Sequence, residues 1–354
     1  MFTVVVGTRP ECIKMAPVVS ECKILGLPIV VWHTGQHKDL WHGSGLTPDV
    51  HLDCDLRGLD PIADAQAVEN TLLPLLKDTT VVVQGDTLSA FGGAGAAWAL
   101  KLPCVHIEAG IRSGNLDHPW PEEFFRAAID GNATLRLCPT DHTLQNLHTE
   151  RLSGLVTGNP GVTACLSRQT PVPLAKRLDH VLITLHRRES FGEPMQLIVE
   201  GILRVAQQLP DVSFHWPLHP NPAILAALPP HCPSNLKIGP PLAYPSFLNK
   251  LAHAQCVVTD SGGVQEDAAT LGIPAIIVRE VTDRPESVAS GQAVVAGRTA
   301  DGVEQGLWKA LGGHLVTEPS AVFGGGGSAK AIALRLLSTS LPITPDRTQI
   351  GTSM

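Results

Sequence analysis

The sequence predicts an α/β protein made of two units, each a parallel sheet wrapped by helices, with a ligand cleft between them. Three observations lead to this. The chain has 354 residues, more than a single hydrophobic core usually organises. Short β-branched runs alternate with helical stretches from end to end, and the runs lack the polar alternation of half-wet strands, which marks strands covered on both faces. A proline-rich polar segment, "LSRQTPVPLAKRLDH" at 166–180, divides the series into halves and reads as a linker.

In the first half, strands are expected at 2–6, 28–33, 80–84 and 103–107. In the second they are expected at 180–185, 212–217, 235–238, 256–259, 274–278 and 293–296. The units therefore run over 1–165 and 181–325. "FGGGG" (323–327) breaks the chain before a helix over 328–338, and 339–354 reads as a flexible tail. The apolar stretch 88–102 is too short to span a membrane, and its Ala/Gly content suits a helix packed tightly on a sheet. A net charge of −7 argues against a nucleic-acid surface while leaving room for a local basic pocket. "MFTVVVGTRP" opens directly as a strand, so no signal peptide is expected. The eight cysteines form no C-x-x-C pair and are expected as buried thiols in a cytoplasmic protein.

Ligands of such sheets gather at the carboxyl ends of the strands, and the polar motifs fall there. The first strand ends in "GTRPECIK" (7–14), where a glycine turn entering a helix offers N–H groups to an anion and Arg9 and Lys14 add two cations. "VVVQGDTLSA" puts Asp86 at the next such end, "VHIEAGIRSGN" puts Glu108, and "HPWPEEFFRAAID" opens a helix with Glu122 and Glu123. One carboxylate in a first helical turn is commonly a dipole partner. Three acids on one cleft rim can instead be tuned apart into acid and base. "LITLHRRESFG" delivers His186, Arg187 and Arg188 as anion-contacting groups, and "HWPLHPNP" delivers His219. No His, Cys and carboxylate cluster has metal-ligand spacing. In "VVTDSGGVQED", Ser261 is expected to cap a helix. Gly262 and Gly263 would let an anion approach free N–H groups, and Asp267 or Glu266, one turn on, would accept from hydroxyls. A diphosphate with a ribose beside the acid fits this turn.

"GTRPECIKMAPV", "TGQH", "QGDTLSAF", "HIEAGIRSGN", "PWPEEFFR", "VTGN", "HRRESFG", "HPNP", "TDSGGVQED" and "RPES" follow one another in the order seen in the non-hydrolysing UDP-N-acetylglucosamine 2-epimerases. The chain resembles that family over roughly residues 3 to 300. The resemblance implies two Rossmann-like domains facing a central cleft (glycosyltransferase-B type), with the C-terminal helix returning to the first domain and the second binding UDP. It also implies a reaction. The sugar C2 proton has no adjacent carbonyl, so UDP is eliminated to give 2-acetamidoglucal and re-added with the proton delivered from the other face. No NAD and no metal are needed.

Carried over, Asp86, Glu108 and Glu122 would be the acid/base carboxylates, and His186 would assist at the phosphate or in proton transfer. Arg9 and Lys14 would face the diphosphate, and Ser261, Gly262 and Gly263 would hold its phosphates. Asp267 would meet the ribose and Phe247 the uracil. The partners implied are UDP-N-acetylglucosamine, UDP and a second copy of the chain, with neither nucleic acid nor membrane.

The chain departs from the family pattern at several points. "GGVQEDAAT" carries Asp267 where Glu is usual, one methylene shorter, which implies a longer or water-bridged ribose contact. "TDRPESVASG" and "TGNPGVTACL" differ from their counterparts. Lys38-Asp39-Leu40 after "TGQH" differs from the segment that serves substrate activation in many members, so activation is expected to be weak or lost. The competing readings are a hydrolysing 2-epimerase that releases UDP and N-acetylmannosamine, a transferase of the same fold, and a silent nucleotide-sugar binder. Three convergent carboxylates disfavour the transferase, and retention of Asp86, Glu108, Glu122 and His186 together disfavours the binder.

Overall fold

The computed structural model describes residues 1–37, 43–116, 119–218 and 222–340. The first half holds seven strands, β1 (Phe2–Val6), β2 (Ile29–His33), β3 (Val50–His51), β4 (Thr80–Gln84), β5 (Cys104–Ile107), β6 (Leu135–Cys138) and β7 (Leu155–Val156). All pair in parallel in the order β3-β2-β1-β4-β5-β6-β7. Its helices are α1 (Arg9–Ile24), α2 (Pro61–Leu72), α3 (Leu88–Ala99), α4 (Glu122–Asn132), α5 (Asp141–Thr149) and α6 (Pro160–Leu166).

The second half holds β8 (His180–Thr184), β9 (Ser213–Pro217), β10 (Leu236–Gly239), β11 (Cys256–Thr259), β12 (Ala275–Ile277) and β13 (Ala293–Val295), parallel in the order β10-β9-β8-β11-β12-β13. Around them lie α7 (Glu193–Gln208), α8 (Pro222–Leu225), α9 (Tyr244–Ala252), α10 (Gly262–Leu271), α11 (Pro285–Ala289) and α12 (Ala300–Leu311). The last helix, α13 (Ser328–Ser340), follows the glycine run.

All ten strands expected from apolar runs form. The three not anticipated lack that signal. β3 and β7 are two-residue edge strands with exposed side chains, and β6 carries Arg136 inside a four-residue run, buried by bonds to main-chain carbonyls.

Each sheet is covered on both faces, as strands without polar alternation require. In the first sheet, α1 presents Cys12, Met15, Val18 and Val19 to one face, and α13 adds Ile332, Ala333 and Leu336 to the same core. The other face is covered by α2 and α3 through Val68, Leu72, Ala90 and Ala94. The Ala/Gly character of α3 has a steric cause: a Cβ on Gly92 would sit 2.5 Å from the Ala65 carbonyl oxygen, so α2 and α3 meet at backbone distance. In the second sheet, α7 and α12 cover one face, and α9 and α10 the other. Seven of the eight cysteines are buried free thiols, and Cys232 is exposed. Among the described residues no helix is long and apolar enough to cross a membrane.

In both sheets the strand order reverses direction once, between β1 and β4 and between β8 and β11. Connections from neighbouring strands leave to opposite sides at such a point, so a crevice opens at the carboxyl ends. The turns after β1, β4, β8 and β11 carry Gly7–Thr8, Gly85–Asp86, Leu185–Arg187 and Asp260–Ser261.

Candidate active site

The turn after β1 differs from the expected anion seat. Thr8 caps α1 and Glu11 closes a capping box. The buried Glu11 carboxylate accepts from Gly7 N (3.0 Å), Thr8 N (2.7 Å) and the Thr8 and Thr87 hydroxyls (2.8 and 2.7 Å). Burial pushes Glu11 up to about 7 against those four bonds. The Gly7 and Thr8 donors are thus taken inside the chain, while Arg9 N faces His37 Nδ1 and Glu11 N faces Thr8 Oγ1, both at 3.5 Å. Arg9 makes no ion pair among the described residues and lies partly exposed. Lys14 points away from the helix start, its ammonium 2.7 Å from Glu108 Oε2 and 2.9 Å from Glu266 Oε2.

This Lys14 contact opens a cluster that spans both halves. Glu108 has φ +71°, a left-handed conformation costly for a residue with a Cβ and held only where the surroundings enforce it. Its carboxylate meets Lys14, Gln84 Nε2 (2.5 Å) and Arg284 Nη2 (3.0 Å). Arg284 also pairs with Glu266 (2.6 Å) and Asp283 (3.2 Å). Asp283 in turn meets Arg126 at 3.3 Å, and Arg126 holds Asp86 at 2.7 Å. Asp86 and Glu108 are therefore joined through Arg126, Asp283 and Arg284. Glu122 stands beside Asp86 with a buried Oε2 that has no hydrogen-bond partner among the described residues.

The electrostatics divide these acids into two classes. Burial would raise Glu266 and Asp283, but Lys14 and Arg284 hold Glu266 below the carboxylate range, and Arg284, Arg126 and Arg279 hold Asp283 well below it. Burial raises Glu108 despite Lys14 and Arg284, with Glu266 pushing the same way. It also raises Glu122, with Asp86 adding to the effect. Two carboxyls kept ionised beside two pushed toward the protonated form is the pattern from which acid and base roles are made.

In the second half, His186 follows β8 with its side chain about half exposed. Asp260, fully buried, accepts from the His186 and Arg187 N–H groups (2.9 and 2.8 Å) and lies 3.4 Å from His186 Nδ1. Asp260 thus ties the β8 turn to the β11 turn. Ser261 occupies the N-cap of α10, but its side chain makes no capping bond, contrary to expectation. No protein acceptor among the described residues meets the N–H groups of Gly262, Gly263 or Val264. A Cβ on Gly262 would lie 3.3 Å from Arg284 Cζ, so the guanidinium rests against this glycine and adds charge to the open helix end. Phe247 packs, half-buried, at the edge of the α9–α10 core.

Asp267, expected at the ribose, takes a partner within the chain. Asp267 is 7% exposed and takes the Tyr244 hydroxyl on both oxygens (3.0 and 3.2 Å), facing the α9 side rather than the cleft. The neighbouring Glu266 is the acid turned to the interdomain cluster. Burial and the Glu266 charge push Asp267 up to about 7. The folded chain therefore binds this proton more tightly than the unfolded one. The resulting stability is complete below the unfolded value near pH 4 and fades as pH rises through 7. The urea midpoint is expected to fall between pH 5 and 8, and Asp267→Asn to remove about 3 kcal/mol of that change. Equal slopes in the two proteins would refute the assignment.

The residues missed by sequence reasoning are mainly partners: Gln84, Arg126, Asp260, Asp283 and Arg284. "TDRPES" stood out as a motif, but nothing local assigns Arg284 to Glu108 or Asp283 to Arg126. Lys38, Asp39 and Leu40, His219, and the Arg188 side chain lie outside the described part of the chain.

A family model described as UDP-N-acetylglucosamine 2-epimerase matches residues 23–337. The UDP-N-acetylglucosamine 2-epimerase of Bacillus subtilis is 33% identical over 94% of both chains. The crystal structure of UDP-GlcNAc 2-epimerase from Neisseria meningitidis bound to UDP-GlcNAc superposes with a TM-score of 0.85 at 29% identity, over 95% of this chain and 99% of that one. The Methanocaldococcus jannaschii enzyme in complex with UDP-GlcNAc and UDP superposes at 0.83 with 28% identity, over 96% and 99%.

Proposed function

The chain belongs to the UDP-N-acetylglucosamine 2-epimerase family, and we propose that it interconverts UDP-N-acetylglucosamine and UDP-N-acetylmannosamine by eliminating and re-adding UDP. The observation that carries this reading is the separation of the cleft carboxyls into a raised pair, Glu108 and Glu122, and an ionised pair, Glu266 and Asp283. Elimination needs a base for the C2 proton and stabilisation of the departing diphosphate, and re-addition needs an acid on the opposite face. Glu108, Glu122 and Asp86 supply the proton-transfer groups. The free N–H groups of Gly262 to Val264, with Arg284 against them and His186 and Arg187 on the facing turn, supply the leaving-group side. The uracil would lie toward Phe247. With Arg9 making no ion pair among the described residues and Lys14 committed to carboxylates, Arg9 is the cation assigned to the diphosphate.

The test is proton NMR of the purified chain with UDP-N-acetylglucosamine in deuterated water. UDP-N-acetylmannosamine carrying deuterium at C2, without accumulating UDP, is expected. Stoichiometric UDP and free N-acetylmannosamine would replace the proposal with the hydrolysing reaction.

A homodimer is part of the same proposal. Trp120 and Phe124 are 53% and 37% exposed, at the edge of an aromatic cluster with Phe91 and Phe125, and an apolar face of this kind favours association. Light scattering is expected to give twice the chain mass in the native protein and a single mass in Trp120→Arg; a monomeric native protein would end this part of the proposal. Buried free thiols suit the reducing cytoplasm, and fractionation of producing cells checks that location.

A further inference from the structure

α4 carries Glu122, Arg126 and Asp130 at successive i, i+4 positions, one stripe of the helix. The first is a candidate acid and the second holds the Asp86 side chain. The third, fully buried, has no role in the scheme above. Asp130 Oδ1 lies 2.7 Å from His106 Nδ1, and His106 Nε2 lies 2.9 Å from the Gly85 carbonyl oxygen. Asp130 Oδ2 accepts from Gly110 N–H (3.0 Å) and from Arg112 Nη1 (2.8 Å).

Gly85 immediately precedes Asp86, and Gly110 stands two residues past Glu108. Gly85, Glu108 and Gly110 have φ of 71°, 71° and 81°; both turns leave the sheet in left-handed backbone, which the two glycines adopt freely and which at Glu108 needs the surroundings to hold it. The β4–β5 ladder ends at Gln84 and Ile107. Beyond it, the Gly85 N–H to Ile107 O bond (3.0 Å) is the last direct backbone tie between the two turns.

We infer that Asp130, acting through His106 and the Gly110 amide, is a positioning residue that sets the spacing and aim of Asp86 and Glu108. The inference rests on the acid/base roles proposed above. One carboxylate grips both turns, one oxygen for each, from a helix that also carries Glu122, so three acids are referred to one rigid element. Burial alone would raise Asp130, but His106 and Arg112 hold it below the ordinary carboxylate range, in keeping with an ionised strut.

The test compares Asp130→Ala, Asp130→Asn and the double variant Asp130→Ala/Glu108→Gln. Small misplacements of reacting groups cost on the order of 100-fold in rate. Asp130→Ala is expected to lower kcat by about that factor, with KM for UDP-N-acetylglucosamine and the Kd of UDP within roughly threefold. Asparagine can still accept from Gly110 and Arg112 while donating to His106, so Asp130→Asn is expected to recover to within about tenfold of the native kcat. The double variant is expected to be no slower than Glu108→Gln alone, because residues acting through one another are not additive.

A merely structural role would instead lower Tm and the yield of active sites without changing kcat per site, and an effect on kcat independent of Glu108 would multiply with that of Glu108→Gln. Either result overturns the inference. Should Asp130→Ala not fold, His106→Phe removes the links to the Gly85 carbonyl and to Asp130 Oδ1 while leaving the Gly110 and Arg112 bonds of Oδ2, and it is expected to lose about tenfold in kcat by the same readouts; full kcat in a soluble His106→Phe overturns the inference as well. A native chain that fails to epimerise overturns the functional reading itself, and this is distinct from an active native chain beside an unaffected variant.

Discussion

Glu108→Gln is expected to lower turnover by about a thousandfold, within the span of general acid–base contributions. Glutamine matches the side chain in shape and keeps one acceptor oxygen for Lys14 and Arg284, with its NH2 toward a turned Gln84 amide, but it cannot give up or accept the proton at working pH. The backbone already holds this residue at φ +71°, so the substitution changes no steric demand. It removes one of the carboxylates shared by Lys14 and Arg284, leaving Glu266 to balance Lys14 and Glu266 with Asp283 to balance Arg284. UDP binding is expected to persist within about tenfold, because the open N–H groups of Gly262 to Val264 are untouched and one unit of negative charge is lost. The measurement is kcat and KM for UDP-N-acetylglucosamine beside the Kd of UDP. A kcat within tenfold of native would remove Glu108 from the chemistry.

Arg284→Ala should have the larger effect on stability. Arg284 is the cation common to Glu108, Glu266 and Asp283, and all three carboxylates are nearly inaccessible to water. Deleting one partner of a buried ion pair leaves an uncompensated charge at a cost of about 3–5 kcal/mol. Lys14 and Arg126 remain to cover part of the deficit, so the lower end of that range is expected, with Glu108 pushed further toward its protonated form. Because Glu108 belongs to the first half and Arg284 to the second, the halves should also separate more readily, exposing the cleft to proteolysis. Urea unfolding followed by probes in each half measures the first effect and limited proteolysis the second. A loss below 1 kcal/mol with unchanged cleavage would show that solvent screens the cluster. Arg284→Lys keeps the charge but not the fork that reaches three carboxylates, and it should fall between the two.

The corrections share one physical origin. The first turn was read as an anion seat because glycine, two cations and a helix start lie together in sequence, yet Glu11, three residues past Thr8, folds back and consumes the donors. A capping box is a local pattern, but Thr8 with Glu11 is as compatible with it as with an open nest, and the choice turns on Thr87 arriving from the next crossover to take the other oxygen. At α10 the reverse occurred. Ser261 was expected to close the helix end, and its hydroxyl makes no such bond, which leaves more donors open than expected. For Asp267, the deciding partner is Tyr244 on α9; its hydroxyl draws the shorter acid away from the cleft and leaves Glu266 facing Lys14.

What the sequence determined by itself is local in cause. Uninterrupted β-branched runs are buried on both faces wherever they end up, so ten strands and their parallel character were legible. Polar turns at strand ends put Asp86, Glu108, His186 and Ser261 on one rim, because parallel strands deliver their carboxyl ends to one side. What only the tertiary structure decided is which charge faces which. Lys14 with Glu266, Arg126 with Asp283 and Arg284 with Glu108 are pairs far apart in the chain, and their energies depend on the low-dielectric gap that forms only when the two sheets close on each other. The proton affinities of Glu108 and Glu122 follow from that enclosure, since desolvation is a property of the surroundings and not of the residue.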